Sequence, residues 1–243
     1  MPSVVEALKD LLFPPHCLGC SQRLDSSRPP LFCSGCDAAL VFIRSPLCPC
    51  CGIPFACGAD HLCGDCLTDS SAFDLARSLL SYRPPVSDLI LSLKFNGNLA
   101  GIATFKALVA RSPLLDALVE PDILLPVPLH ADRLRERGFN QALVIAKGCL
   151  PAWQEKIQTG VLLRSRPSTP QSLLSGTARR RNLHNVFSLA EPGRVAGAKV
   201  LLVDDVYTTG STVNECSKIL RQAGAERIEV FTLARSLAPG LLL

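Results

Sequence analysis

The chain has 243 residues, a formal net charge of +4 and a sequence pI near 8.5. So mild a balance does not by itself point to nucleic acid, and 48% hydrophobic against 19% charged residues excludes wholesale disorder. Every long apolar stretch is broken by Asp, Glu, Lys or Pro, so no membrane-spanning helix is expected.

The first element in chain order is a short amphipathic helix. Val4, Val5, Leu8, Leu11 and Leu12 share a face, and Pro14-Pro15 stops it. Glu6, Lys9 and Asp10 interrupt that apolar run, which a secretory signal would not carry, so the expected compartment is the cytoplasm. Residues 16 to about 70 form a cysteine-rich module. Ten of the twelve cysteines lie between Cys17 and Cys66. In a reducing compartment, paired thiols read as metal ligands rather than disulfides. Cys17-x2-Cys20 with Cys33-x2-Cys36 has the spacing of a four-cysteine zinc ribbon, and Cys48-x2-Cys51 with Cys63-x2-Cys66 repeats it. Each turn presents two thiolates, two turns complete a tetrahedron, and metal binding becomes folding energy for a segment poor in core. Four thiolates leave no open position, so the zinc is structural. Cys50, Cys57, His16 and His61 are the alternative ligands.

From about residue 71 to 243 the composition becomes that of an ordinary α/β domain. Strands are expected over 76–82, 123–127, 160–163, 199–203 and 228–233, with helices opening after Pro84-Pro85 and over 99–110, 140–150 and 212–223. Strand–helix–strand order near the C-terminus makes the sheet parallel. Residues 164–185 have no clean period, contain no Asp or Glu, and hold Arg164, Arg166, Arg179, Arg180 and Arg181, with Gln171 among them. That is the pattern of a long basic loop, closing over a pyrophosphate or tracking a phosphate backbone. Arg133, Arg135 and Arg137 form a second basic group, and Lys94 is a weaker candidate for the same basic pocket; His130 and His184 are candidate general acids or bases, though isolated histidines are more often plain polar residues.

The most informative stretch is Val200-Leu201-Leu202-Val203-Asp204-Asp205-Val206-Tyr207-Thr208-Thr209-Gly210-Ser211-Thr212. An apolar strand reaches two acids, then a loop of small hydroxyl residues and a glycine opens a helix. Such a loop offers backbone N–H groups, hydroxyls and a favourable helix dipole to a phosphate. Acids at the carboxyl edge of a parallel sheet sit where open α/β folds bind ligands. Neither acid has a basic partner within the motif, so a structural ion pair is not required.

This stretch resembles the phosphoribosyl pyrophosphate (PRPP) motif of type I phosphoribosyltransferases. The resemblance implies that Asp204 and Asp205 hold the ribose hydroxyls and that Thr208, Thr209, Gly210, Ser211 and Thr212 cradle the 5′-phosphate, with magnesium accompanying PRPP. Cysteine ribbons ahead of such a domain are similar to the ComF/GntX family of competence-associated proteins. So are Leu93-Lys94-Phe95, Pro126-Val127-Pro128-Leu129, Arg137-Gly138-Phe139-Asn140-Gln141 and Arg179-Arg180-Arg181-Asn182 ahead of Phe187. The expected fold is therefore a type I phosphoribosyltransferase-like parallel sheet behind a double zinc ribbon, with a ribose-phosphate pocket in which Arg137 joins the acid pair. The resemblance also implies partners among DNA-uptake proteins and incoming single-stranded DNA. A glutamine-dependent reaction is not expected, because the chain opens Met1-Pro2-Ser3 without the cysteine nucleophile of amidophosphoribosyltransferases. Two functions remain: transfer at the ribose anomeric carbon, or non-catalytic binding with the pocket as a sensor or nucleotide-end reader.

Overall fold

A computed structural model describes residues 13–69, 71–165 and 186–238. The expected N-terminal helix lies outside these residues, as do Arg166, Gln171, Arg179, Arg180, Arg181, Asn182 and His184 of the basic loop. Two five-residue helices, α1 (Ser34–Ala38) and α2 (Gly64–Thr68), each begin inside a CxxC motif of the cysteine-rich module, with its first cysteine as N-cap. The α/β part runs β1 (Leu75–Ser81), α3 (Val86–Asn96), α4 (Ala100–Ala110), β2 (Ile123–Pro126), α5 (Ala131–Arg137), α6 (Gln141–Cys149), β3 (Leu162–Arg164), β4 (Phe187–Leu189), β5 (Lys199–Tyr207), α7 (Ser211–Gln222) and β6 (Arg227–Arg235). Strands β1, β6, β5 and β2 form a parallel sheet in that order, and β3 and β4 pair antiparallel beside it.

The central strands are apolar because both faces of the sheet are covered. Leu201 and Val203 of β5, with Phe231 and Leu233 of β6, pack against α3, α4 and α6 through Ile90, Leu93, Phe105, Leu108 and Ile145. Val200 and Leu202 of β5, with Ile228 and Val230, turn the other way onto Val213, Cys216 and Leu220 of α7. Leu202 is fully buried; truncating such a leucine to alanine costs about 2–5 kcal/mol.

The cysteine module has no separate core. Cys17 and Phe32 belong to the helix-side cluster, and Cys48 and Cys51 to the other. The short helices α1 and α2 escape the sequence reading, as do two elements of the α/β part. Helix α5 carries no buried residue, so it has no apolar stripe to reveal it. Strand β4 is only three residues long. Strand β5 also outruns its expected end at Val203. It continues through both acids to Tyr207, because β6 pairs with it as far as Arg235. Among the described residues, no helix is long and apolar enough to cross a membrane.

Candidate functional site

The site is built on the last turns of β5 and the first turn of α7. Asp204 and Asp205 lie inside β5, three and two residues before its end. Successive strand side chains face opposite sides of a sheet, and the two acids meet different neighbours accordingly. Asp205 is buried and its Oδ2 lies 2.9 Å from the Lys94 ammonium, in the last turn of α3. This corrects the expectation that neither acid needs a basic partner: the partner is far away in sequence and arrives through the fold. Burial, then the charge on Asp205, pushes the Asp204 carboxyl up to about 7. The Asp205 backbone N–H, donating to Asp204 Oδ1 at 2.9 Å, and the positive charges of Lys94 and Arg164 act against that rise.

After Tyr207 the chain turns through the exposed Thr208 and Thr209 into α7. Gly210 precedes the helix at φ +74°, a left-handed conformation that a side chain rarely adopts. A Cβ there would also sit 2.1 Å from the Tyr207 hydroxyl oxygen. The Thr209 and Ser211 hydroxyls lie 3.0 Å apart, and Ser211 N–H faces Thr209 Oγ1. The first N–H groups of a twelve-residue helix have no intrahelical partner and point into this loop.

The other sequence motifs gather around α3. The Arg137 guanidinium lies 5.4 Å from the centre of the Phe95 ring, one residue beyond Lys94. Gly97, at the end of α3, faces the Phe139 ring. Asn140 caps α6 by accepting the Ala142 N–H and donates to the Val127 carbonyl, tying this motif to the end of β2. His130 caps α5 and lies 3.1 Å from Asp132, the ordinary work of a polar surface residue. Arg133 and Arg135 pair with Glu136 and Asp132 along α5.

The cysteines assemble as their spacing predicts. The sulfurs of Cys17, Cys20, Cys33 and Cys36 lie within 4.8 Å of one another, as do those of Cys48, Cys51, Cys63 and Cys66. Cys50, Cys57, His16 and His61 belong to neither group, and His61 instead stacks on Phe55. Cys20 and Cys33 sulfurs are 3.6 Å apart, and so are Cys51 and Cys63. Tetrahedral zinc–thiolate bonds of about 2.3 Å place sulfurs about 3.8 Å apart, so both groups fit zinc. Burial opposes ionisation of Cys17, but hydrogen bonds from the Cys33, Cys20 and Gly19 backbone outweigh it and bring its thiol down to about 6. Burial and neighbouring sulfurs push Cys36 and Cys66 well up, so those two thiols depend on a cation to ionise.

A double zinc ribbon domain profile matches residues 8–67 and a phosphoribosyl transferase domain profile matches residues 158–241. The chain is 35% identical over 227 residues to Competence protein F of Haemophilus influenzae, covering 91% of this chain and 97% of that one. It is 37% identical over 215 residues to the DNA utilization protein YhgH of Salmonella typhimurium, covering 84% and 90%. Competence protein ComFC of Bacillus subtilis is 31% identical over 216 residues, with 84% of each chain covered. The molecule is thus a phosphoribosyltransferase-type α/β protein that carries a double zinc ribbon at its N-terminal end. The chain belongs to the ComF family of competence and DNA utilization proteins.

Proposed function

We propose that the chain binds PRPP or a related ribose phosphate with magnesium, and that this binding serves the handling of incoming single-stranded DNA. The carrying observation is the run of β5 through Asp204 and Asp205 into Thr208–Thr212 at the start of α7, on a parallel sheet. In this reading Asp204 and Asp205 accept hydrogen bonds from ribose hydroxyls. The N–H groups and hydroxyls of Thr208, Thr209, Gly210, Ser211 and Thr212 donate to the 5′-phosphate. Two carboxylates are hard oxygen donors of the kind magnesium takes, and bound magnesium supplies charge that offsets the pyrophosphate. Burial and Asp205 raise Asp204 towards neutrality, and a hydrogen bond from a ligand hydroxyl favours its ionised form. Should transfer at the anomeric carbon follow, these residues act by positioning the sugar and Arg137 by offsetting charge on the departing group. The double zinc ribbon is the scaffold, and the relatives' names supply the link to DNA uptake.

A second reading, a non-catalytic binder of single-stranded DNA, is favoured by Phe95. Its ring is 68% exposed, lies beneath Arg137 and follows Lys94 directly. An open aromatic face beside cations is a surface on which bases stack.

Calorimetric titration separates the two. PRPP with Mg²⁺ should give a saturable heat with the parent and none with the Asp204→Asn, Asp205→Asn double variant. No PRPP heat from folded, zinc-replete parent ends the ribose-phosphate reading. Heat from short single-stranded DNA alone, lost in Phe95→Ala, selects the second.

A further inference from the structure

The second four-cysteine group and the phosphate loop are joined by two buried side chains that no local motif announces. Arg235, the last residue of β6, is 6% exposed. It donates to the Cys51 carbonyl at 2.6 Å and points a second N–H at Cys51 Sγ, 3.7 Å away. Its guanidinium carbon stands 4.1 Å from the centre of the Tyr207 ring. Tyr207 ends β5, is Arg235's neighbour across the ladder, and is also buried. Its hydroxyl end lies against Gly210, where an added Cβ would come within 2.1 Å. Contact therefore passes from Cys51 to Arg235, from Arg235 to Tyr207, and from Tyr207 to the loop.

Charge gives this chain of contacts a direction. A buried guanidinium needs a compensating charge. Among the described residues, Arg235's partners are Cys51 and the Tyr207 ring, with no carboxylate among them. Four thiolates on one Zn²⁺ carry a net charge of about −2. A zinc-loaded group therefore presents negative charge to the guanidinium that already touches it at Cys51. Among the described residues, no hydrogen bond joins the first cysteine group to β5 or β6.

We propose that Arg235 and Tyr207 are positioning residues, through which the metal-loaded Cys48, Cys51, Cys63 and Cys66 group holds the Thr208–Thr212 loop in its anion-receiving shape. What the loop receives rests on the ribose-phosphate reading; the coupling between loop and metal group does not.

Amide hydrogen exchange tests the coupling without any ligand. In Arg235→Met, and separately in Cys63→Ser, the amides of residues 208–212 should exchange about tenfold faster than in the parent, while those of β5 stay protected. Arg235→Lys should keep exchange nearer the parent rate, and Cys20→Ser in the first group should leave 208–212 unchanged. Zinc transfer to a chelator should also be faster from Arg235→Met than from the parent. Parent-like exchange at 208–212 in a Cys63→Ser protein that has lost that zinc overturns the proposal. So does equal loosening by Cys20→Ser, because a general loss of stability would then explain it. PRPP titration keeps the two readings apart. Faster exchange in a protein whose parent takes no PRPP sustains the coupling and removes only the ligand. Intact PRPP binding by Cys63→Ser with parent-like exchange removes the coupling and sustains the ligand.

Discussion

The two four-cysteine groups share a spacing and a ligand chemistry, yet they brace different layers of the molecule. The first grips helices. Gly19 lies so close to Pro85 at the start of α3 that a Cβ would come within 2.7 Å, Leu31 N–H donates to Thr104 of α4, and Asp37 pairs with Arg111 just beyond α4. The second grips strands. Ala76 of β1 donates its N–H to the Cys50 carbonyl at 2.7 Å, Arg77 reaches the Pro49 carbonyl, and Arg235 of β6 reaches Cys51. Equal metal chemistry therefore does unequal structural work: one group fixes the helix layer that carries Lys94, the other the strand ends that lead into the Thr208–Thr212 loop. The ligands were encoded locally by spacing, but the work each group does is set by what it lands on.

The largest effect should come from metal removal. Because the ribbons share both cores with the sheet, stripping zinc with a chelator at neutral pH should destabilise the whole chain by several kcal/mol. Thermal melting should show one lowered transition; a separate ribbon transition with the sheet unmoved would break the comparison at its root. Next comes the double variant Asp204→Asn, Asp205→Asn, which touches neither cysteine group. Two charge-assisted hydrogen bonds at roughly 1.5–3 kcal/mol each predict a loss of PRPP affinity of a hundredfold or more, and the broken Lys94–Asp205 pair should also lower the melting temperature. Affinity equal to the parent's would remove the acid pair from the site.

A smaller effect is expected from pH. The Asp204 carboxyl is raised to about 7 in the folded chain, so the folded state holds its proton where the unfolded state has released it. Stability should therefore fall as pH rises from about 4 to about 7, by up to about 4 kcal/mol. Asp204→Asn should flatten that slope in denaturant titrations run across the range, and an unchanged slope would assign it elsewhere. The smallest effect belongs to Arg111→Ala, which unties the first cysteine group from its helix. Arg111 and Asp37 form a bidentate but solvent-exposed pair, worth about 1 kcal/mol or less. Asp37 is held below the usual carboxylate range by Arg111, so the small contribution should disappear in acid as Asp37 is protonated. A loss of several kcal/mol would show that the helix clamp depends on this pair far more than its exposure implies.

Much of this was legible in the sequence because the relevant signals are local. CxxC spacing found all eight sulfurs that converge, and the apolar run Val200–Val203 ahead of two acids found the central strand and the loop behind it. What stayed hidden depends on contacts between distant positions. Nothing near Asp205 announces Lys94, and Cys51 and Arg235 are 184 positions apart. Strand β5 outlasts its apolar run because its ladder partner β6 does, which no periodicity within β5 records. Tyr207 carried a faint cue, a bulky aromatic three positions before a glycine, whose meaning appears only once Gly210 is seen to rest against the ring. The expected roles of Arg179, Arg180 and Arg181 fall outside the described residues.

The ion pair between Lys94 and Asp205 has a consequence for the order in which things arrive. A carboxylate offers two oxygens, and Lys94 engages Oδ2, leaving Oδ1 for a hydroxyl. A free divalent ion approaching the two acids therefore meets one already paired with an ammonium and another whose ionisation burial opposes. On the ribose-phosphate reading, these acids favour a sugar whose cation travels with its own phosphates over a bare cation. Titrating magnesium alone should then give little heat and premixing it with ligand the full response, the signature of a site that selects a complex; equal heats would remove that order of arrival.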